Sequence, residues 1–305
     1  MTQKVVILGS TNVDRFLSVD RYAKPGETLH VDQGQQNYGG GKGANQAIAT
    51  ARMKADTTFI SKVGQDGIAD FMFEGFAEAG LNTDYVLKSD TADTGQAFIT
   101  VDAKGNNMIY VYGGANMTMT PEDVEKAASV IAEADYIVAQ LEVPVPAIIR
   151  AFEIAREHGV TTILNPAPAS TLSEELLTLI DVIIPNEFES EILSGIPVED
   201  EPSMKKNVDY FLNLGVKVVL ITLGERGTYY ATKETSGLVE AYRVKVVDTT
   251  AAGDTFIGAF VSRFDIASMN IEEAIDFANK AASYTVQKSG AQISIPWLDE
   301  VESKE

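Results

Sequence analysis

The chain has 305 residues, 45% hydrophobic and 22% charged, which describes a soluble globular protein long enough for one large α/β core or two smaller domains. Its 24 Lys and Arg against 44 Asp and Glu leave a net charge of −20, which opposes binding to nucleic acid or to an anionic membrane. There is no cysteine, and His30 and His158 lie far apart without metal-ligand spacing, so a disulfide-built or zinc-built protein is excluded.

An apolar strand is predicted at Val5 to Leu8. No basic region or long apolar run precedes it, so no signal peptide or transmembrane span is expected, and the expected compartment is the cytoplasm. The strand runs into Gly9-Ser10-Thr11-Asn12-Val13-Asp14. Asn12 and Asp14 thereby stand at the carboxyl end of a strand, where open α/β sheets place ligands, although an Asx turn uses the same residue types. Residues 15 to 37 break into short alternating segments, Phe16 to Val19 and Leu29 to Asp32, read as antiparallel strands.

Gly39-Gly40-Gly41-Lys42-Gly43-Ala44-Asn45-Gln46-Ala47 is a glycine-rich loop feeding a helix. Glycines bring backbone close to a ligand, Asn45 offers an amide donor and acceptor, and Ala44, Ala47, Ile48 and Ala51 share one face. That combination suits a polyhydroxyl ligand. A nucleotide P-loop needs Gly where Gln36 stands and Ser or Thr where Gly43 stands, and a dinucleotide fingerprint needs Gly at Gln46. Hydride transfer is therefore disfavoured.

A strand at Thr57 to Ile60 follows, and residues 94 to 112 again alternate, with strands predicted at Phe98 to Val101 and Met108 to Tyr112. Asn116-Met117-Thr118 matches the N-glycosylation sequon, of no use to a chain without an export signal. Strands at Tyr136 to Ala139, Thr161 to Leu164, Val182 to Ile184 and Val218 to Thr222 then alternate with helices over 121 to 133, 144 to 158 and 202 to 214. The first helix opens on Thr120-Pro121-Glu122-Asp123, a polar cap followed by Pro and acids. This alternation predicts an α/β fold with a central, mostly parallel sheet flanked by helices on both faces. Asn186 and Glu189, three residues apart at a helix opening, look like a capping box. Thr222-Leu223-Gly224-Glu225-Arg226-Gly227 has the composition of a β-turn, and Arg226 is left unassigned.

Asp248-Thr249-Thr250-Ala251-Ala252-Gly253-Asp254-Thr255-Phe256 joins a small-residue turn, a helix start and a carboxylate. The amides of Ala251, Ala252 and Gly253 can approach an anion at the positive end of the following helix. Asp254, in the first turn, is placed to take a proton from an attacking hydroxyl, as phosphoryl transfer requires. From this stretch alone, an acid favoured only by the helix dipole reads equally well; the first glycine loop tips the balance towards a site. A helix over 271 to 286 is predicted to close the chain.

These segments, together with Leu164-Asn165-Pro166-Ala167-Pro168-Ala169, Pro185-Asn186-Glu187, Thr222-Leu223-Gly224 and Gly290-Ala291-Gln292, resemble the ribokinase branch of the PfkB carbohydrate kinase family over essentially the whole chain. The resemblance implies one domain over 1 to 305 with a small β lid from insertions at about 15 to 37 and 94 to 112, its outer face forming a homodimer. It implies ATP-dependent phosphorylation of D-ribose at its 5-hydroxyl. Asn12, Asp14, Gly40, Gly41, Lys42, Asn45 and Glu142 would bind the sugar, with Asp254 as base beside the 251 to 253 anion hole. Asn186, Glu189, Thr222, Gly224, Gly227, Gly253 and Asn279 would line the nucleotide, with Glu189 organising Mg²⁺ through water. Asp248, Thr250, Thr285, Lys288, Gly290 and Ser294 would hold K⁺ next to the anion hole, mostly through backbone oxygens. The same chemistry on 2-deoxyribose, fructose, a sugar phosphate or a nucleoside stays open, as does a non-catalytic sugar-binding regulator, which would normally show a damaged base or anion hole.

Overall fold

The computed structural model describes residues 2–31 and 34–303. The chain begins with β1 (Lys4–Leu8), β2 (Asn12–Ser18), β3 (Gln36–Gly40), α1 (Lys42–Arg52), β4 (Asp56–Gly64), α2 (Asp70–Ala79) and β5 (Asn82–Ser89). It continues through β6 (Gly95–Val101), β7 (Asn107–Tyr112), a 3-10 turn at Gly114–Thr118, α3 (Pro121–Glu125), α4 (Ala128–Ala132), β8 (Tyr136–Gln140), α5 (Val145–Glu157) and β9 (Thr161–Asn165). The rest of the chain holds α6 (Glu174–Leu177), β10 (Val182–Ile183), α7 (Glu187–Ser194), α8 (Glu201–Asn213), β11 (Val218–Thr222), β12 (Thr228–Ala231), β13 (Ser236–Val239), α9 (Ala252–Arg263), α10 (Ile271–Thr285) and α11 (Leu298–Glu302).

Nine strands form one sheet in the order β13-β12-β11-β10-β9-β8-β1-β4-β5. The run from β11 to β5 is parallel; at one edge β12 runs antiparallel to β11, and β13 reverses again to pair antiparallel with β12. Strand periodicity explains the layering: side chains alternate between faces, so Val5 and Ile7 enter one core while Val6 and Leu8 enter the other. The first core lies beneath α1, α2, α9 and α10, and the second beneath α5 and α8. The α/β arrangement with helices on both faces is the one the alternation predicted.

A separate four-stranded sheet, in the order β3-β2-β6-β7, carries the short alternating segments. Its outer pairings are antiparallel, whereas its central pair, β2 and β6, is parallel, because both strands leave the main sheet in the same direction.

Several local expectations are corrected. No strand covers Leu29 to Val31, and Asp32 falls outside the described residues; the partner of β2 is β3, which begins only at Gln36. The predicted helix at 121 to 133 is two short helices, with Lys126 and Ala127 between them. The helix at 271 does not close the chain, since α11 follows. Strands β5, β12 and β13 carried too little apolar alternation to be read from the sequence; β13 has the mixed burial of an edge.

Candidate active site

The predicted site residues gather over the carboxyl ends of β1, β8, β9, β10 and β11, where loops leave a parallel sheet. The first contribution is the approach of α1 to the end of β1. The Ala44 N–H donates to the Ser10 carbonyl (2.9 Å) and the Gly43 N–H to Ser10 Oγ (3.3 Å). A Cβ on Gly43 would lie 2.4 Å from the Ser10 nitrogen, so only glycine permits this contact. Glu142, just past β8, completes the corner by accepting from the Lys42 N–H (3.0 Å) and from the Ser10 hydroxyl. Its carboxylate therefore braces the glycine loop, a role the sequence did not suggest.

Asp14 on β2 faces this loop. Gly40 leaves room for it, since a Cβ there would lie 2.3 Å from the Asp14 carboxylate oxygens. Burial, reinforced by the negative charges of Glu142 and Asp254, pushes the Asp14 carboxyl up to about 7. Lys42 answers these charges: burial alone would depress its ammonium, but Asp254, Glu142 and Glu189 outweigh that and hold it above the ordinary lysine value. Four acidic groups and one lysine thus act on one another across the site.

Asp254 sits in the first turn of α9, buried, and both its oxygens accept amide N–H bonds: Oδ2 from Asn45 Nδ2 (2.9 Å) and Oδ1 from Gln46 Nε2 (3.0 Å). Asn45 Oδ1 is buried and has no hydrogen-bond partner among the described residues, so one end of this amide holds Asp254 while the acceptor end is unpaired. At the start of α9 no side chain caps the helix, and Ala251 adopts the left-handed region with φ 61°, a conformation costly for a residue with a Cβ. The expected trio of anion-hole amides is incomplete in this conformation, because the Ala252 N–H donates to the Thr249 carbonyl (3.2 Å).

Asn12 opens β2 and accepts at Oδ1 from Asn116 Nδ2 (2.8 Å), and Asn116 Oδ1 accepts from the Thr11 N–H (2.9 Å). Asn116 is only 1% exposed, so the sequon asparagine is an internal brace of the site and not a glycosylation position. Nothing local in the sequence distinguishes the two.

Asn186 and Glu189 form the capping box of α7: Glu189 N–H donates to Asn186 Oδ1 (2.8 Å) and Asn186 N–H to Glu189 Oε2 (2.9 Å). Burial raises the Glu189 carboxyl despite the Asn186 N–H and the Lys42 charge, which pull it down. Asn186 also bridges to Thr222 at the end of β11. Gly224 and Gly227 turn the chain into β12. Asn279 on α10 accepts from the Thr228 hydroxyl (3.0 Å) and donates to the Val239 and Glu240 carbonyls (both 3.2 Å). Arg226 turns away from the site to pair with Glu187 and to donate to the Glu199 carbonyl (3.3 Å).

Asp248 joins two loops that are distant in sequence. Its Oδ1 accepts from the Thr250 N–H (2.9 Å) and hydroxyl (2.7 Å), and its Oδ2 from the Gly290 N–H (3.0 Å). Burial would raise this carboxyl, but those donors outweigh it and hold it below the usual carboxylate range. Ser294 and Thr285 are fully buried; the Ser294 hydroxyl donates to the Ala291 carbonyl (2.7 Å), and Thr285 Oγ1 meets Thr255 Oγ1 (2.9 Å). The Lys288 ammonium points outward to Glu300 (2.9 Å). Of the six residues expected around a monovalent cation, Asp248, Thr250 and Gly290 are joined to one another and Thr285 meets Thr255 of α9, whereas Ser294 bonds within its own loop and the Lys288 side chain points away. No group of three or more His, Cys, Asp or Glu side chains able to hold a metal ion occurs among the described residues.

The chain is similar to known proteins over nearly its whole length. The family model described as pfkB family carbohydrate kinase matches residues 2–298. The chain is 67% identical over 301 residues to the ribokinase of Staphylococcus aureus, covering 99% of each chain. It is 35% identical to the deoxyribokinase of Salmonella typhi, with 97% of this chain and 96% of the relative covered. Its fold superposes on the structure of Arabidopsis thaliana ribokinase complexed with ribose and ATP with a TM-score of 0.91, at 33% identity, covering 99% of this chain and 98% of that one.

Proposed function

This chain belongs to the pfkB family of carbohydrate kinases, and on that premise we propose that it transfers the γ-phosphoryl group of ATP to O5 of D-ribose. The observation that carries the reading is the convergence of Asp14, Asn45 and Asp254 on the uncapped start of α9, in a chain 67% identical to a ribokinase. Asp14 and the free Asn45 Oδ1 accept from sugar hydroxyls, with Asn12, Gly40, Gly41, Lys42 and Glu142 shaping the pocket. Asp254 takes the proton of the attacking O5 hydroxyl as the oxygen closes on the γ-phosphorus in line. The dipole of α9 and the amides of 251–253 neutralise charge on the transferring group, with the Ala252 N–H released from Thr249 to do so.

Asn186, Thr222, Gly224, Gly227, Gly253 and Asn279 are proposed to line the nucleotide. Glu189, buried beside Lys42 and Asp254, is the carboxylate proposed to face a Mg²⁺ ion that would arrive on the phosphates and be reached through water; once bound, such an ion would neutralise phosphate charge. A charged Asp248 tying Thr250 to Gly290 fits a monovalent cation held with these residues and Thr285, Lys288 and Ser294, and a cation bound there would stiffen the loop that carries the anion hole. The four-stranded sheet is proposed as a lid over the sugar.

The 35% identity to a deoxyribokinase favours 2-deoxyribose as the second reading. Release of ADP from Mg-ATP is measured with ribose, 2-deoxyribose, fructose and adenosine, each with K⁺ and with tetramethylammonium in its place. The expected result is a kcat/KM for ribose at least 10-fold above the other acceptors, with most activity lost without K⁺. Preference for another acceptor overturns the substrate assignment, and indifference to K⁺ overturns the cation site.

A further inference from the structure

We propose that Gln46 is a positioning residue that orients the Asp254 carboxylate, held in place by a relay of buried amides running beneath the sugar pocket. The inference rests on the reading of Asp254 as the base.

Gln46 lies on α1, fully buried. Its Nε2 donates both to Asp254 Oδ1 (3.0 Å) and to Asn165 Oδ1 (3.1 Å), and its Oε1 accepts from Gln140 Nε2 (2.7 Å). Asn165, at the end of β9, donates from Nδ2 to the Ile184 carbonyl (2.9 Å). That carbonyl can only accept, so it fixes which end of each amide faces which: Asn165 must present oxygen to Gln46, and Gln46 must present N–H to Asp254. The direction of the relay is thus set by one main-chain carbonyl just past β10, read by a side chain at the end of β9, both strands of the central sheet.

Asn45 and Gln46 divide the carboxylate between them. Asn45 holds Oδ2 while its own Oδ1 has no partner among the described residues, which leaves that end of the amide for the proposed sugar. Both polar atoms of Gln46 are spent on protein, so its grip on Oδ1 does not depend on what the pocket contains. Neutral amide donors suit this task, because the full positive charge of a Lys or Arg against the carboxylate would hold it anionic at the expense of its basicity. Nor is the relay merely a satisfied core. Gln140 Oε1 is buried with no partner among the described residues, and apolar groups of the same shape would fill the space at about equal stability. What the amides add is direction at Asp254.

The test is kinetic. Gln46→Met keeps the volume and removes every bond of the relay to Asp254. The expected result is a kcat lowered about 10- to 100-fold, the scale of a misaligned reacting group, with the ribose Kd by calorimetry within threefold of wild type. In an Asp254→Ala background, where no carboxylate remains to be oriented, the same substitution is expected to change the residual rate less than twofold. A kcat within threefold of wild type, a matching loss of ribose affinity, or equal losses with and without Asp254 overturns the proposal. Should Gln46→Met fail to fold, Gln140→Leu decides, since Gln140 reaches Asp254 only through Gln46: lowered kcat with unchanged ribose Kd supports the proposal, and wild-type kcat overturns it. Asp254→Ala alone separates the two readings, because high turnover in that variant sinks the base assignment itself, whereas its loss beside a fully active Gln46→Met sinks only the relay.

Discussion

Asp14 shows how position changes a residue's chemistry. Burial near Glu142 and Asp254 moves its carboxyl from the ordinary 3.8 to about 7, so the proposed hydroxyl acceptor titrates near neutrality. Below that value it is protonated and no longer a full acceptor, so the KM for ribose is expected to rise several-fold from pH 8 to pH 6, a limb that Asp14→Asn abolishes. The linkage runs in the matching direction. The folded protein binds this proton more tightly than the unfolded chain, so the stabilisation is complete below about pH 4 and is lost as pH rises through about 7. Asp14→Asn should therefore raise the sugar-free melting temperature more at pH 8 than at pH 5, by about 2 °C or more, roughly the effect of 1 kcal/mol in a domain of this size. Thermal scans at the two pH values check it, and an equal shift at both contradicts the buried charge. From the sequence, Asp14 was legible as a residue at a strand's carboxyl end; its titration was not, because the neighbouring charges come from positions 142 and 254.

Among the elements, α1 and α9 set the geometry of the site, because Asn45 and Gln46 on one hold Asp254 on the other. Gly258 makes the crossing close: a Cβ there would lie 2.5 Å from Ala49 Cβ and 2.6 Å from the Thr50 nitrogen. Backbone cannot yield at little cost, so Gly258→Ala is expected to destabilise the fold by about 1–3 kcal/mol, and to lower kcat as the helices separate. Gly75 on α2 provides the contrast, since a Cβ there meets nothing within 4 Å, and Gly75→Ala should be stabilising by about 0.5–1 kcal/mol. Denaturant melts of the two variants read the difference; two equal values would remove the close-packing argument. The glycine loop and the helix it feeds were readable from composition, whereas the crossing was not, since nothing near Gly258 announces its partner 208 or more positions earlier in the chain.

At the scale of the whole molecule, the four-stranded sheet presents an unusual surface. Every residue of β7 from Met108 to Tyr112 is exposed, with Tyr110 and Val111 each 63% exposed, and Phe98 on β6 is exposed beside them. Strand β7 is also an edge, with backbone groups unpaired on its outer side. Side chains alternate along the strand, so Met108, Tyr110, Tyr112 and Phe98 share one face and Ile109 and Val111 the other, and these exposed apolar groups are where we propose that the homodimer implied by the family resemblance forms. Light scattering is expected to give twice the chain mass, and Tyr110→Glu with Val111→Glu to give the monomer. A wild-type monomer at micromolar concentration would rule the interface out.

The sequence by itself determined the layered α/β fold, the two glycine-rich turns and the helix starts, because each rests on the period of a strand or helix or on backbone freedom within a few residues. It also carried every residue of the proposed base, anion hole and sugar loop in short contiguous runs. Only the tertiary structure decided that Glu142 braces the glycine loop, that Asn116 is internal, and that Gln140, Asn165 and Gln46 converge beneath Asp254. A buried amide has no periodicity and no local signature. Its partners are chosen by how parallel strands and their crossover helices stack, and that order is a property of the whole sheet.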